Sequence, residues 1–368
     1  METAESVQAT SAALPPLSNG SRAARLALLG GIVASVAGAF AYVGGWLTPH
    51  ALTGARFIDT FEATNGVQPG FRRNHAKGVG FSGFFQSNGR GVALSKASVF
   101  EAGRVPVIGR FAFGGGDPYA ADAASAIRSM AVQFQLRGGE EWRTGMNDIP
   151  VFPVNSAQAF HDLLLAGVPD PATHKPNPEA MPAFLSKHPE TGKAFGLIKS
   201  APKSSGFENA TYQSLNAFLF VNESGVVTPV RWAMVSVQPF EPVKPAPADA
   251  SKNYLFESLH AAVAHQPIRY RLLVTVGQPG DPTADATLPW PSDRQVVEVG
   301  TLTIDQLQGE AESPARDINF DPLVLPNGIQ GSDDPLLSAR SAAYSTSFRR
   351  RESEPKSPSA FEPAKGAH

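Results

Sequence analysis

The chain of 368 residues is too long for one small core, and its hydrophobic fraction of 42% suits a globular protein rather than a disordered one. Its 31 basic and 33 acidic residues leave a formal net charge of −2, without the basic excess typical of a nucleic-acid-binding protein. The absence of cysteine excludes disulfides, thiolate-ligated metals and a cysteine nucleophile, and 34 glycines with 32 prolines argue against an all-helical bundle.

The first predicted element is an apolar segment from Leu26 to Leu47. It contains 22 residues without a charge, enough to cross a hydrocarbon core of about 30 Å as a helix. Arg22 and Arg25 precede it, and Tyr42 and Trp46 stand near its far end, where aromatic rings favour the membrane interface. The positive flank predicts a cytoplasmic N-terminus and a body on the far side, which in a bacterium is the periplasm. A cleaved signal peptide is the alternative.

The composition and the apolar segment divide the chain into four predicted regions. Residues 1–21 are rich in Ala, Ser and Pro and are predicted to be disordered. Residues 22–47 form a single-pass transmembrane helix or signal anchor. Residues 48–352 form the folded body, and 353–368 are predicted to be a disordered tail.

Strand-like stretches dominate the body. The predicted strands lie at 131–136, at 216–240 as two strands around a turn, at 270–276 and at 294–304. Helical patterns are fewer and lie around 117–129, 156–167, 250–266 and 334–351. The sum predicts an α+β fold, with an antiparallel β core and helices packed around it.

The predicted helix at 334–351 carries a one-sided group of polar side chains. Arg340 and Tyr344 are i and i+4, and Arg351 follows seven positions later on the same face. A guanidinium beside a phenol stabilises the phenolate, which is a known axial ligand for haem iron. Arg351 could then reach a haem propionate. The alternative is a packed core tyrosine with two solvated arginines.

A second motif favours the haem interpretation. Residues 69–78 read PGFRRNHAKG, which resembles the distal-haem segment of the catalase superfamily, where an Arg-x-x-His-Ala-(Arg/Lys)-Gly pattern carries the distal histidine. The resemblance runs from about Phe57 to Arg351 and is greatest to the shorter catalase-related, or catalase-like, peroxidases. Further matching segments are VPVIGRFAFGGGDP (105–118), RSMAVQF (128–134), MNDIPVF (146–152), LPWP (288–291) and RSAAYSTSFRRR (340–351).

The resemblance implies a catalase-like antiparallel β-barrel with surrounding helices, preceded by one transmembrane helix, and a haem b cofactor. It also implies a role for individual residues. The distal catalytic pair would be His75 and Asn147; the proximal iron ligand would be Tyr344, with Arg340 beside it; the propionate-binding arginines would be Arg72, Arg110 and Arg351; and the aromatic lining of the distal face and channel would be Phe152 and Phe160.

Three departures from the catalase pattern bear on activity. Catalases usually carry a serine at the position of Ala112, where it hydrogen-bonds the distal histidine, so we expect His75 to lack this partner and peroxide disproportionation to be inefficient. The proximal Tyr-x-Asp signature is here Tyr344-Ser345-Thr346. The sequence after the proximal helix is also too short for the additional C-terminal helices of typical catalases.

The sequence therefore predicts a membrane-anchored haem peroxidase that reduces hydrogen peroxide or organic hydroperoxides with an external electron donor. A neutral imidazole at His75 would move the proton between the two peroxide oxygens. Two alternatives remain open: a hydroperoxide isomerase or dehydratase on the same fold, and a non-catalytic, membrane-tethered haem-binding protein. Peroxide and an unidentified donor are the expected partners, and nucleic acid is not.

Overall fold

The computed structural model describes residues 19–43, 47, 52–124, 126–170, 172–173, 175–246 and 249–363. The chain divides into two compact units, residues 1–53 and 54–368. The first contains helix α1 (Asn19–Val43), which is long and apolar enough to span a membrane. This helix starts inside the segment predicted to be disordered. The rest of that segment, and Trp46, lie outside the described residues.

The second unit is built on one antiparallel sheet. Its strands are β1 (Gly78–Ser87), β2 (Gly103–Phe113), β3 (Arg128–Gln135), β4 (Glu141–Asn147), β5 (Thr211–Gln213), β6 (Phe218–Val221), β7 (Val227–Ser236), β8 (Ile268–Val276), β9 (Val296–Gln308) and β10 (Ile329–Gly331). Within the described residues, eight of them close a barrel in the order β1-β2-β3-β4-β5-β7-β8-β9, because β9 pairs back with β1. β6 pairs with β7, and β10 with β6, as an extension. The predicted antiparallel barrel is confirmed.

The barrel interior is filled by aromatic side chains. Alternation along each strand sends every second residue inward: on β4, Trp142 and Met146 are buried while their neighbours are only partly covered. Phe134 stacks on Trp142 with ring centroids 4.7 Å apart, and Trp232 meets the same indole edge-on at 5.1 Å. Among the described residues, the barrel interior is thus occupied by packed aromatic and aliphatic side chains.

Six helices pack in the second unit within the described residues. They are α2 (Gly54–Asn65), α3 (Ala157–Ala166), α4 (Ala180–Lys187), α5 (Pro189–Ser200), α6 (Tyr254–His265) and α7 (Pro335–Glu352). α2 contacts both α3 and α7, and α6 lies against β9. Asp334 caps α7 by accepting a 2.9 Å hydrogen bond from the Leu336 amide, and Pro335 occupies the first turn. The helices predicted at 156–167, 250–266 and 334–351 are present.

The helix predicted around 117–129 is wrong. Among the described residues of this stretch, a short 3-10 turn forms at Asp122–Ala124, and Arg128 begins strand β3. The alanine-rich composition favours a helix, but Asp122 is used in tertiary contacts instead. Its carboxylate accepts a 2.9 Å hydrogen bond from the Leu255 amide at the start of α6. Tertiary packing thus overrides local propensity here.

Residues 353–363, which belong to the predicted tail, contact the folded body. Phe361 is buried and stacks on Phe256, with ring centroids 5.5 Å apart. Glu354 forms an ion pair with the buried Arg73, whose Nη1 donates to the carboxylate at 2.8 Å. The segment has no regular secondary structure, so its order depends on these long-range contacts, which periodicity does not reveal. Residues 364–368 lie outside the described residues.

Lys77 and Asp122 form a fully buried ion pair, with Lys77 Nζ 2.6 Å from the carboxylate. Burial raises the pKa of the Asp122 carboxyl even with this cation beside it. We expect Lys77→Met to lower the free energy of unfolding by about 3–5 kcal/mol, because it leaves the Asp122 carboxylate buried without a counter-charge. Denaturant titration of the purified protein measures this loss.

The matched control for this prediction is Lys356→Met. Lys356 pairs with Asp317 at 2.8 Å, but both side chains are more than half exposed, so the expected cost is about 0–1 kcal/mol. Equal effects of the two substitutions on the free energy of unfolding would contradict the importance of the buried pair.

Candidate functional site

One cavity of about 420 Å³ lies on the outer face of the barrel wall. Strands β2, β3 and β4 contribute the residues that alternate with the buried core, and helices α2, α3 and α7 supply further side chains. The loop before β1 contributes the segment around His75. All nine residues singled out in the sequence line this cavity: Arg72, His75, Arg110, Asn147, Phe152, Phe160, Arg340, Tyr344 and Arg351.

His75 is held in an unusual backbone conformation. Its φ is +57°, in the left-handed region that non-glycine residues rarely adopt. The conformation is fixed from both sides of the residue: the His75 amide donates to Asn74 Oδ1 at 3.0 Å, and Arg110 Nη1 donates to the His75 carbonyl at 2.9 Å. Such outliers persist where surrounding contacts enforce them, and they are concentrated at functional sites.

The imidazole of His75 is neutral. Burial lowers its pKa to about 3, and the nearby Arg110 guanidinium adds to the effect. Its Nδ1 lies 3.2 Å from the carbonyl oxygen of Phe113. A carbonyl can only accept, so Nδ1 carries the hydrogen and Nε2 keeps a free lone pair. His75 can therefore act as a proton acceptor through Nε2 at neutral pH.

The expectation that His75 lacks a hydroxyl partner is wrong. Ser129 Oγ lies 3.1 Å from His75 Nδ1. Ser129, on β3, is the direct cross-strand neighbour of Ala112 on β2, so a hydroxyl reaches the imidazole from the adjacent strand. The same oxygen donates to Asn147 Oδ1 at 2.5 Å. The argument against peroxide disproportionation that rested on Ala112 therefore does not hold.

Helix α7 presents Arg340 and Tyr344 to the cavity, one turn apart as the sequence predicts. Arg340 donates to the side-chain oxygen of Asn216 and, at 3.3 Å, to the carbonyl of Gly145. A Cβ built on Gly145 would lie 3.4 Å from Tyr344 Oη and 3.5 Å from Arg340 Nη2. The phenol oxygen and the guanidinium therefore meet beside the same point of β4, where a glycine leaves them room.

The three predicted propionate-binding arginines gather around one carboxylate. Glu310 is buried, 3.0 Å from Arg72 Nη1 and 2.6 Å from Arg110 Nη2. Burial opposes ionisation of Glu310, but Arg110 and Arg72 outweigh it and hold the pKa of its carboxyl below the usual value. Burial also lowers the pKa of Arg72 well below its ordinary value and that of Arg351 to about 10.

This arginine cluster fits a ligand with two carboxylates. Three guanidiniums and one carboxylate leave a net charge of +2. Arg351 Nη2 is buried and has no hydrogen-bond acceptor among the described residues. A buried guanidinium nitrogen without a partner is costly. The two propionates of a haem, dianionic together, would supply the matching charge and the missing acceptor.

Aromatic side chains form the apolar part of the lining. Phe152 and Phe160 meet edge-on with centroids 5.4 Å apart, and Phe160 also contacts Phe57 and Phe61 of α2 at 5.3 and 6.0 Å. A flat, apolar macrocycle is compatible with this wall. α2, which the sequence-based reading did not identify as a helix, thus supplies part of the cavity.

Sequence reasoning missed two polar residues of the site. Glu310 is 238 residues from Arg72 and 200 from Arg110, and no local pattern marks it. Ser129 lies in the segment RSMAVQF (128–134) that carries the catalase resemblance, just before the strand predicted at 131–136, but its role depends on the β2–β3 register. The one available signal was the alternation of the strand, which places Ser129 on the face away from the buried Met130.

Comparison with known proteins relates the chain to one family. The family model described as catalase matches residues 45–355. A catalase-related peroxidase of Synechococcus elongatus is 35% identical over 301 residues, covering 82% of this chain and 89% of that protein. A catalase-related peroxidase of Mycolicibacterium paratuberculosis is 32% identical over 302 residues, covering 82% and 95%.

Solved structures show the same fold. A fungal catalase superimposes with a TM-score of 0.68 at 19% identity, covering 76% of this chain and 59% of that one. At this identity the likeness bears on the fold alone.

Proposed function

Because the chain belongs to the catalase family, we propose that it is a haem peroxidase that reduces hydrogen peroxide or organic hydroperoxides with electrons from an external donor. That it is an oxidoreductase acting on peroxide follows from the family and its catalase-related peroxidase relatives. One observation carries the finer proposal: the nine residues predicted from separate motifs line a single cavity.

Catalases are haem enzymes, and the residues of this cavity fit a haem b group. Tyr344 would provide the axial oxygen ligand, with the Arg340 guanidinium stabilising the phenolate. Arg72, Arg110 and Arg351 would bind the propionates, because guanidinium binds carboxylate through paired hydrogen bonds. When bound, the haem supplies the electrons that cleave the peroxide O–O bond and recovers them from the donor.

The protein's part is to position peroxide and move its proton. His75 Nε2 accepts a proton from one peroxide oxygen and returns it to the other, which then leaves as water or an alcohol. Asn147 Nδ2 donates a hydrogen bond to the peroxide and fixes its orientation.

The low pKa of His75 predicts a flat pH profile. Since the pKa is about 3, the imidazole stays neutral, and able to accept a proton, until the pH falls well below the pKa of ordinary histidines. We expect kcat/KM for hydrogen peroxide to vary less than about twofold between roughly pH 5 and 8. A steady-state profile that rises with a midpoint near the ordinary histidine pKa of about 6.5 would contradict this environment for His75.

Steady-state turnover tests the proposed function. The purified protein is given hydrogen peroxide or an alkyl hydroperoxide, each with and without a reducing dye, while peroxide, dye and oxygen are followed. The proposal predicts that peroxide is consumed only when the dye is present. The amount of peroxide consumed should equal the amount of dye oxidised, counted as two-electron equivalents. Faster oxygen release without dye would indicate a catalase. Dye-independent conversion of the alkyl hydroperoxide would indicate an isomerase or dehydratase, and a haem spectrum without turnover would indicate a binding protein.

We further propose that α1 anchors the enzyme in a membrane, with the barrel on the non-cytoplasmic side. The support is the length and apolar composition of α1 and the preceding arginines. Among the described residues, none before Phe57 lines the cavity. A chain starting at Gly54 is therefore expected to be soluble and to keep haem content and turnover within about twofold.

Membrane fractionation, with protease added to intact spheroplasts, checks the anchor and its orientation. The proposal predicts a membrane-bound full-length chain that is digested without lysis. Protection until lysis would place the barrel in the cytoplasm. A mature N-terminus within the apolar segment would show a cleaved signal.

A further inference from the structure

A single hydroxyl lies between the two distal residues of the cavity. Ser129 Oγ is 3.1 Å from His75 Nδ1 and 2.5 Å from Asn147 Oδ1. His75 and Ser129 are 54 positions apart in the sequence, and Ser129 and Asn147 are 18 apart. The β3–β4 register places Ser129 directly opposite Asn147, so three separate segments converge on one oxygen.

The directions of these hydrogen bonds follow from the atoms present. The Phe113 carbonyl can only accept, so His75 Nδ1 carries a hydrogen. Ser129 Oγ can accept from that N–H while its own proton is donated to Asn147 Oδ1. The amide oxygen of Asn147 is then occupied, which turns its NH₂ group toward other partners. The chain of bonds leaves one acceptor, His75 Nε2, and one donor, Asn147 Nδ2, for a substrate.

We propose that Ser129 is a positioning residue that holds the imidazole of His75 in the tautomer that the Phe113 carbonyl also requires, and that orients the amide of Asn147. This inference rests on the proposed function, in which these two groups act on peroxide. Both settings matter, because the opposite tautomer would offer a donor where a base is required, and a flipped amide would offer an acceptor where a donor is required.

The register of the barrel explains how this chain reaches the arrangement. Ala112 on β2 and Ser129 on β3 are direct cross-strand partners, and both line the cavity. Side chains of directly opposed residues stand about 4.5–5.5 Å apart on the same face of a sheet. A serine hydroxyl on either strand can therefore reach the His75 imidazole. On β3 it also lies opposite Asn147 and so links the two distal groups.

The test compares Ser129→Ala with the double variant Ala112→Ser/Ser129→Ala, which moves the hydroxyl to the neighbouring strand. Three quantities are measured on the full-length protein as purified: haem per chain, kcat and KM for hydrogen peroxide, and the cyanide dissociation constant of the ferric form. Cyanide binding provides a readout independent of turnover, because the acid HCN must give its proton to a distal base. Ser87→Ala is the control, since Ser87 is a buried strand serine outside the cavity lining, bonded to a carbonyl at 2.9 Å.

We expect Ser129→Ala to keep its haem and its KM within about twofold, while kcat falls and the cyanide dissociation constant rises, each about tenfold. A tenfold change corresponds to about 1.4 kcal/mol, within the range of one hydrogen bond. The double variant is expected to recover part of both losses, because a hydroxyl on β2 can reach His75 but does not lie opposite Asn147. Ser87→Ala is expected to match the wild type in both.

The inference is overturned if Ser129→Ala keeps wild-type kcat and cyanide affinity while His75→Ala loses turnover. It is also overturned if haem content falls in parallel with kcat, or if the double variant recovers nothing, because the hydroxyl would then serve packing alone. Unchanged turnover in both His75→Ala and Ser129→Ala would contradict the proposed role of His75, and this inference with it.

Discussion

The His75→Ala variant is expected to lose about 10²- to 10⁴-fold in the rate of peroxide reduction, the usual contribution of a general acid–base group. The imidazole is neutral, its Nδ1 is engaged, and Nε2 remains as the base. No other histidine lines the cavity within the described residues. Haem content should remain, because His75 is not proposed as an iron ligand. Steady-state kinetics at fixed peroxide and donor, normalised to haem, measure the loss.

His265→Ala is the matched control, because His265 is an exposed histidine at the end of α6, outside the cavity lining. It should keep wild-type turnover. A His75→Ala protein with turnover within a few-fold of the wild type would show that another group moves the proton. A fall in haem content equal to the fall in rate would show that His75 supports haem binding instead.

The Tyr344→Phe variant is expected to lose most of its haem. The substitution removes only the phenol oxygen, which the proposal assigns as the bond from protein to iron, and leaves the ring in place. Arg340 would then lie beside an apolar ring without the anion it is proposed to stabilise. Haem per chain after purification, and the absorption spectrum of any haem that remains, measure the effect.

The control for the tyrosine is Tyr119→Phe, because Tyr119 is exposed and does not line the cavity. It should retain wild-type haem content and spectrum. An unchanged spectrum and full haem content in Tyr344→Phe would mean that another residue ligates the iron, and the proximal assignment would be abandoned.

Features that depend on residues close together in the sequence were predictable. The Arg340–Tyr344 spacing needs only a helix to bring both groups to one face, and α7 provides it with the cap at Asp334. The segment around His75 was identified through its resemblance to the distal-haem motif. Strand alternation predicted an antiparallel β core with helices packed around it, and the resemblance to catalases implied that this core closes into a barrel. The structure and the catalase neighbours confirm both.

Features that depend on long-range pairing were not predictable. Ser129 reaches His75 because β3 pairs with β2 in one register, and a slip of one residue would turn its side chain to the other face. Glu310 contacts Arg72 and Arg110, which are 238 and 200 positions away in the sequence. No pattern in a single sequence marks such a pair. The same reason explains why the sequence did not reveal the contact of Phe361 with Phe256.

The central claim is that the cavity binds one haem. The direct measurement is the haem content of the purified wild-type protein, by pyridine haemochrome assay against protein concentration, followed by titration of any haem-free fraction with hemin. The account predicts a b-type haem at one equivalent per chain, and saturation of the haem-free fraction at that ratio. A protein purified without haem, whose absorption spectrum shows no saturable change on addition of hemin, would contradict it.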